Sequence, residues 1–371
     1  MKKAVALIAI LTSFCLHAAS PEGKKVVLKN AHVVARVTGV PMEGENFPCP
    51  NNTAQDYDLH GTDLGMFWAI KDGKYGIFFG DSSGEGFKTF SNGGNGSNWR
   101  SNVLAYSSDT DLSDGLTIDG MAVDDEGKAR EICLGGKGNQ NPSDYFTSIP
   151  TSAVKAGKLD CVHYMNIHNW AGKHGRWPTH FSSLYVSEDD GASWRRAKEV
   201  TFGPESHFSQ VAYGKKGGMV YMIGCWSGRG DDGYLARFRE KDILRMDRYE
   251  YWNGSRWVKG DENAAAPVIK GPVGEASLLW QEELKRWILT YTCDPKLDEN
   301  PIMDHQDILY LSTEDITSWN GPRQVLSVGN YRGMYGGYMH PLSAKGDKLY
   351  YMLSFWRPYN TFLCVADFSL E

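Results

Sequence analysis

The sequence predicts an all-β chain folded as a five-bladed β-propeller, a single domain over residues 21–371, and three observations predict it. Helical periodicity is nearly absent, while short β-branched and aromatic runs alternate with clusters of Gly, Asn, Asp and Ser along the whole chain. One strand-like run recurs five times, as GKYGIFFGD from Gly73 to Asp81, GKLDCVHYMNI from Gly157, GGMVYMIGCW from Gly217, KRWILTYTCD from Lys285 and DKLYYMLSFW from Asp347. Each copy is flanked on both sides by a further apolar run, so the chain reads as five repeats of three or more strands, about seventy residues apiece.

In chain order, AHVVARVTG at Ala31 to Gly39 precedes the first repeat and is expected to complete the last blade and close the ring. The strands expected to line the central channel are DLGMFWAI from Asp63, FTSIPTSAV from Phe146, FSQVAY from Phe208, ASLLW from Ala276 and GYMHPL from Gly337. The third strands are NVLAYSSDTDL, SSLYVSEDDGASW, GYLARFREKDI, DILYLSTEDI and FLCVADFSL. Repeats of this length exceed the roughly 40–50 residues of common propeller repeats, which leaves long loops at Gly84 to Trp99 and Trp170 to Thr179. No Pro- or Ser-rich seam divides the chain. Within the second repeat, Ser187 to Trp194 matches S-x-D-x-G-x-x-W, the Asp box, a propeller turn fixed by side-chain bonding and a packed Trp; Ser312 to Trp319 is a degenerate copy. The turn bears on fold, and it is expected on the face away from any site.

The chain opens MKKAVALIAILTSFCLHAAS. Two lysines, a short apolar run and small residues from Ala18 to Ser20 make residues 1–20 a secretory signal peptide, too short and wrongly flanked to span a membrane. The mature protein is expected to be secreted or periplasmic; lipid modification of Cys15 fits poorly, because bulky Phe14 precedes it. Removing Lys2 and Lys3 leaves 37 basic against 45 acidic residues, a net of −8. That balance argues against nucleic acid or an anionic membrane as partner, and without an apolar stripe the chain is expected to be a monomer. Twelve Trp and nineteen Tyr suit either a β-rich core or platforms for the apolar faces of sugars. Of the cysteines after Cys15, none shows a paired metal spacing, and no metal or cofactor is expected. Cys161, Cys225, Cys293 and Cys364 sit in strand-like runs as buried thiols, whereas Cys49 and Cys133, in loop contexts, are the candidates for a disulfide.

The stretch Gly61 to Asp81, GTDLGMFWAIKDGKYGIFFGD, reads as a β-hairpin with an acid at each end, turning at Lys71-Asp72-Gly73. Pairing Ile70 with Lys74 places Asp63 opposite Asp81 on one face, where opposed Cβ atoms stand roughly 4.5–5.5 Å apart. Two carboxyls that close perturb each other, so one holds its proton longer. An acid beside a carboxylate is what glycosidic-bond cleavage requires: one donates to the leaving oxygen while the other activates water or attacks carbon. Two turn-flanking aspartates would give the same pattern. In a propeller, the starts of channel strands and the ends of second strands share a face. That face is expected to gather His207, Glu275, Tyr338 and, slightly deeper, His340, together with Asn166, His168, Trp226, Arg229, Asp294, Trp356 and Arg357. Arg100 and Asn102 of WRSN either grip sugar hydroxyls or anchor their loop, and Gln210 is a further hydrogen-bonding candidate. Trp99, Trp177, Trp226 and Trp356 either stack on sugars or pack in the core. Asp58 is a third acid for the mouth or a turn residue. His163, His168, His174 and His180 lack a compact ligand spacing on a regular element.

The pieces GTDLG at Gly61, FFGDS at Phe78, WRSNVLAYSSDTDLSDGL at Trp99, HYMNIHNW at His163, GYLARFREKDIL at Gly233, WQEELKRWILTY at Trp280 and YGGYMHPL at Tyr335 come in a specific order and spacing. Across nearly the whole mature chain this resembles the domain of unknown function 4185 family. Members of that family include the endo-D-arabinofuranosidases of glycoside hydrolase family 183, which cut the α-D-arabinofuranosyl chains of mycobacterial arabinogalactan and lipoarabinomannan. The resemblance implies a secreted endo-acting glycosidase with a polysaccharide substrate, and catalytic acids at Asp63 and Asp81, the pair that strand counting reaches. Two other readings stand beside it. One is a non-catalytic glycan-binding propeller at the cell surface. The other is a sialidase-like exo-glycosidase, which needs an arginine cluster and a Tyr-Glu pair that an Asp box does not supply.

Overall fold

Short apolar runs broken every few residues by turn formers leave no room for helices, and the chain spends itself on strands. The computed structural model describes residues 24–371 apart from 72, 91–92, 136–146, 171 and 330. Residues 1–20, read as a signal peptide, lie outside the described residues, as do Asp72 of the hairpin loop and Phe146. β1 (Val26–Arg36) and a short helix, α1 (Thr53–Tyr57), come first. The first sheet is β2 (Leu64–Lys71), β3 (Lys74–Phe79), β4 (Val103–Ser107) and β5 (Gly120–Met121). The second is β6 (Thr147–Ala156), β7 (Leu159–Ile167), β8 (Thr179–Ser187) and β9 (Arg195–Phe202). The third runs β10 (Gln210–Lys216), β11 (Met219–Cys225), β12 (Asp231–Arg239), β13 (Glu250–Trp252) and β14 (Trp257–Lys259), with β15 (Pro267–Val273) returning to pair with β12. The fourth is β16 (Ala276–Gln281), β17 (Arg286–Cys293), β18 (Asp307–Thr313) and β19 (Gln324–Val325). The fifth is β20 (Met334–Met339), β21 (Lys348–Phe355), β22 (Asn360–Leu370) and, outermost, β1.

Five antiparallel sheets in a ring make a five-bladed β-propeller. The first strands β2, β6, β10, β16 and β20 pack side by side around the axis, with β20 against β2. The ring closes through β1, which pairs antiparallel with β22 from Val26 opposite Leu370 to Arg36 opposite Phe362. The closing strand thus begins earlier than the Ala31 read from the sequence, because bulges around Lys29 to His32 break the apolar alternation without ending the ladder. The fifth channel strand also starts earlier, at Met334 rather than Gly337: Gly336 and Gly337 take φ 88° and 85° and form a bulge inside the strand instead of marking its start.

The core lies between blades. Trp68 of β2 stacks on Phe78, and its indole donates to the buried Asp160 of β7 at 2.9 Å, a carboxylate that also takes Lys155 at 2.9 Å. Fully buried aromatics such as Phe78 and Phe79 each contribute about 1.5–3 kcal/mol through burial. The Ser187 to Trp194 segment turns β8 into β9. There Ser187 Oγ accepts from Gly191 N at 2.8 Å, Asp189 accepts from Ser193 N at 2.8 Å, and the Trp194 indole donates to Gly191 O at 2.8 Å. The six described cysteines are free thiols, so the expected pairing of Cys49 and Cys133 does not occur; Cys133 is buried in the core and Cys49 Sγ donates to Asn51 O. Among the described residues, no helix is long and apolar enough to cross a membrane.

Candidate active site

The hairpin of β2 and β3 positions both acids, though not in the register that residue counting gives. Met66 to Ala69 pair with Phe78 to Tyr75 as expected, but at the loop end a bulge puts Lys71, not Ile70, opposite Lys74. At the open end the register slips by one, because Leu64 and Gly65 both take left-handed backbone, φ 69° and 101°, and form a bulge. Leu64 then faces Phe79, and Asp63 O accepts from Gly80 N at 3.0 Å. Asp63 therefore stands opposite Gly80, not Asp81. A branched residue held at positive φ stores strain, and here it adjoins the acid, with the Leu64 N–H anchored on Ser354 Oγ at 2.6 Å. Glycine at 80 is required by this approach, since a β-carbon there would collide with Asp63 Oδ1.

Both acids line a cavity of about 480 Å³ at the mouth of the channel. Asp63 Oδ2 accepts from the Tyr335 hydroxyl at 2.9 Å, while Oδ1 is buried without a hydrogen-bond partner. Asp81 is buried and accepts from Thr147 Oγ1 at 2.7 Å. Enclosure by protein, reinforced by the charge of Asp81, pushes the Asp63 carboxyl up to about 8; the Tyr335 hydroxyl pulls part of the way back, Glu275 adds to the rise and Tyr359 pulls against it. At neutral pH Asp63 is an acid.

Aromatic rings wall the cavity. Trp99 and Trp356 stand among its lining, as do Trp170 and Trp177, which meet edge to face at 5.1 Å. The loop carrying Trp170 and Trp177 crosses from the second blade to the third, where Trp177 N donates to Ser227 O at 2.8 Å and Arg229 N to Gly175 O at 2.6 Å. Arg229 is clamped in turn: Nε and Nη2 reach Glu275 at 2.6–3.1 Å, and Nη1 reaches Gln306 at 2.9 Å. Its guanidinium lies over the rings of Trp177 and Tyr335. Gln210 enters the same cavity with its Oε1 buried and unpartnered. A proton-bearing carboxyl, a second carboxyl and stacking walls in one concave site form a constellation suited to general acid chemistry on a sugar.

A family model described as Domain of unknown function (DUF4185) matches residues 48–365. The chain belongs to that family. In fold, this DUF4185 chain is similar to a Bacteroides ovatus protein described provisionally as a hydrolase, with TM-score 0.56 and 11% identity over 85% of this chain and 87% of the other. It is more distantly similar to a Bacteroides ovatus glycosyl hydrolase, with TM-score 0.49 and 12% identity over 91% of this chain and 94% of that one. The same holds for Bacillus subtilis arabinanase Arb43A, with TM-score 0.45 and 13% identity over 83% and 96% of the two chains. At such identities the likeness speaks for the fold alone. No curated protein matches the chain.

Of the residues singled out from the sequence, the DUF4185 fold gathers Asp63, Asp81, Trp99, Trp177, Gln210, Arg229, Glu275, Tyr338 and Trp356 around this cavity. Others it places elsewhere. Asn102 is fully buried, donating to Cys133 O and Ser148 O and accepting from Ile132 N and Cys133 N, so it anchors a loop. Arg100 donates to Asp58 O at 2.8 Å, and Asp58, left-handed at φ 52°, accepts from Glu85 N and Asn98; both hold the 84–99 loop. His168 pairs with His180 at 3.1 Å outside the lining. His207 sits on Asp231 at 2.6 Å, stacked on Tyr234 and more loosely on Trp226, also outside it. His340 follows the far end of β20, fully buried between Phe67 and Tyr75, and burial pushes its imidazole down to about 3. Its expected place near the mouth depended on starting β20 at Gly337. Among the described residues, no group of three or more His, Cys, Asp or Glu is placed to hold a metal.

Sequence reasoning missed Tyr335, Tyr359, Thr147 and Trp170. The first lies one residue past the true start of β20, which the glycine pair concealed, and Tyr359 is carried on a left-handed turn, φ 49°, that no glycine announces.

Proposed function

We propose that this chain is a glycoside hydrolase that cuts α-D-arabinofuranosyl linkages within a polysaccharide, of the kind found in mycobacterial arabinogalactan and lipoarabinomannan. Asp63 is the proton donor and Asp81 the base or nucleophile. The observation that carries the reading is the raised Asp63 carboxyl: with a value near 8 it keeps its proton at neutral pH while sitting close enough to Asp81 to feel its charge. Asp63 protonates the oxygen of the leaving sugar. As that bond breaks, positive charge develops on the sugar ring, and the carboxylate of Asp81, oriented by Thr147, either stabilises it and attacks or draws a proton from water. The tryptophan walls take the apolar faces of the sugar rings. Arabinose as the sugar rests on the family resemblance in the GTDLG and FGD motifs. Residues 1–20 direct export, and the chain works as a monomer outside the cytoplasm.

A sialidase-like reading gains nothing from the cavity. Among its described lining residues Arg229 is the sole arginine, and Glu275 already neutralises it. The test is product analysis on mycobacterial arabinogalactan with wild type, Asp63→Asn and Asp81→Asn. A ladder of arabino-oligosaccharides from wild type, lost in both variants, is the expected result; activity surviving in both variants overturns the assignment of the acids.

A further inference from the structure

A second cavity, of about 650 Å³, opens on the other side of the turn that joins β21 to β22. Residues of that turn line both cavities. Trp356 and Tyr359 face the acid-bearing cavity, whereas Phe355, Arg357 and Pro358 face the second. Gly93 and Gly94 line the first cavity and Phe90 the second, and Phe90 N donates to Arg357 O at 2.8 Å. Trp356 and Arg357, adjacent in sequence and both exposed, stand on the two sides of this turn, so the rim at Trp356 is surface that the two cavities share.

Aromatic rings line the second cavity, Tyr331 and Phe90 exposed and Phe355 and Phe362 buried beneath them. Tyr331 stacks on Phe355 at 4.7 Å and Phe355 on Phe362 at 4.4 Å, each pair near parallel. Tyr331 remains 40% exposed and Phe90 61%, a large apolar area to leave in water. Around them stand the exposed side chains of Arg332, Arg357, Glu43 and Asn46, while Glu45 is neutralised by the buried Arg36. Exposed ring faces edged by flexible donors and acceptors, with little net charge, are the chemistry that holds a neutral sugar chain. Nothing in the hydrolysis described above uses these residues.

We propose that this cavity is a second glycan subsite, occupied by the stretch of the same polysaccharide that leaves the cleft over Trp356. The proposal rests on the reading of the cleft as a glycan site and adds that the substrate is a long chain. A polymer held in both cavities gains through effective concentration, which a short oligosaccharide cannot do.

The test is the Phe90→Ala/Tyr331→Ala double variant of the full chain, assayed on arabinogalactan and on an arabinofuranosyl tetrasaccharide, beside gel retardation by arabinogalactan in an Asp63→Asn background. We expect the polymer KM to rise roughly five- to tenfold, kcat and the tetrasaccharide kcat/KM to stay within about twofold of wild type, and retardation to weaken. The unchanged tetrasaccharide value doubles as the check on folding, and Phe90→Ala alone, at the more exposed ring, repeats the comparison if the double variant is poorly folded. An unchanged polymer KM with unchanged retardation overturns the subsite. If the Asp63→Asn protein is retarded but the wild type cuts neither substrate, hydrolysis falls as the function, and loss of retardation on adding the double substitution still supports the subsite. If arabinogalactan is neither bound nor cut, both are overturned.

Discussion

Asn in place of Asp63 keeps the size of the side chain and an acceptor for the Tyr335 hydroxyl, but it removes the titration. In the unfolded chain the Asp63 carboxyl ionises near 3.8, and in the fold near 8. Between those values the native protein carries a proton that the unfolded chain has lost, so stability falls as pH rises, by about 1.4 kcal/mol per pH unit. Across the whole window the loss approaches about 6 kcal/mol, an upper figure because the protein relaxes around a charge. The Asn variant has no such slope. Below about pH 4 both side chains are neutral and the two proteins should match; by pH 8 the variant should be the more stable, by several kcal/mol. For a chain of this length 1 kcal/mol moves Tm by about 1–2 °C, which gives a gain of about 5–8 °C at pH 8. Thermal or urea unfolding of both proteins from pH 4 to 9 measures it. A stability difference that stays flat across this range, or grows toward low pH, refutes the claim that the cavity holds Asp63 protonated. Activity should move the other way, with kcat/KM down by roughly 10²–10⁴, the range for loss of a general acid.

Tyr335→Phe removes the hydroxyl that favours ionised Asp63, so the carboxyl rises further and the high-pH limb of the kcat/KM profile, expected near pH 8 in wild type, should shift upward. A limb that stays or moves down refutes this assignment. Gly80→Ala drives a β-carbon into Asp63 Oδ1 and should cost about 1–3 kcal/mol in urea unfolding, together with most of the activity. Arg229→Met strands the buried Glu275 carboxylate and should cost about 3–5 kcal/mol, part of which Glu275→Gln in the same chain restores. Trp356→Ala, removing a ring that is 41% exposed at the cavity rim, should raise KM roughly three- to tenfold with kcat little changed, measured on the tetrasaccharide.

Repetition made the architecture legible. Five apolar strands with turn formers at regular intervals can bury their faces only by stacking as blades, and the sheets observed follow the strands read from the sequence within a few residues. The site was less legible wherever backbone departs from ideal strand. Leu64 at positive φ is a conformation that its residue type argues against, so the one mark in the sequence of the bulge that turns Asp63 from Asp81 to Gly80 is Gly65, an isolated glycine within a strand pattern. The two glycines of β20 misled in the opposite direction, reading as a strand start when they are a bulge, and they carried Tyr335 out of view and His340 into it. Arg100 and Asn102 have the composition of sugar-binding residues. What makes them anchors is partners distant in sequence, such as Asp58 for one and Ser148 for the other, and pattern alone does not supply these.

The two acids belong to one hairpin, which places their backbone, yet each carboxyl takes its hydroxyl partner from another blade. Asp63 takes its hydroxyl partner from Tyr335 on β20 and its neighbouring backbone anchor from Ser354 on β21, both in the fifth blade; Asp81 takes Thr147 from the start of the second. The carboxyl is raised because blades close over it, and raising it costs stability at the pH where the acid form is useful. That cost is borne by the seam between the fifth and first blades. The seam is fastened beside the site as well, where Thr62 N donates to Tyr359 O at 2.9 Å and Asn360 Nδ2 donates to His60 O at 3.3 Å. Ring closure and acid placement are therefore a single structural fact. A weakened seam would admit water to Asp63 and lower its ionisation range before the blades themselves unfold.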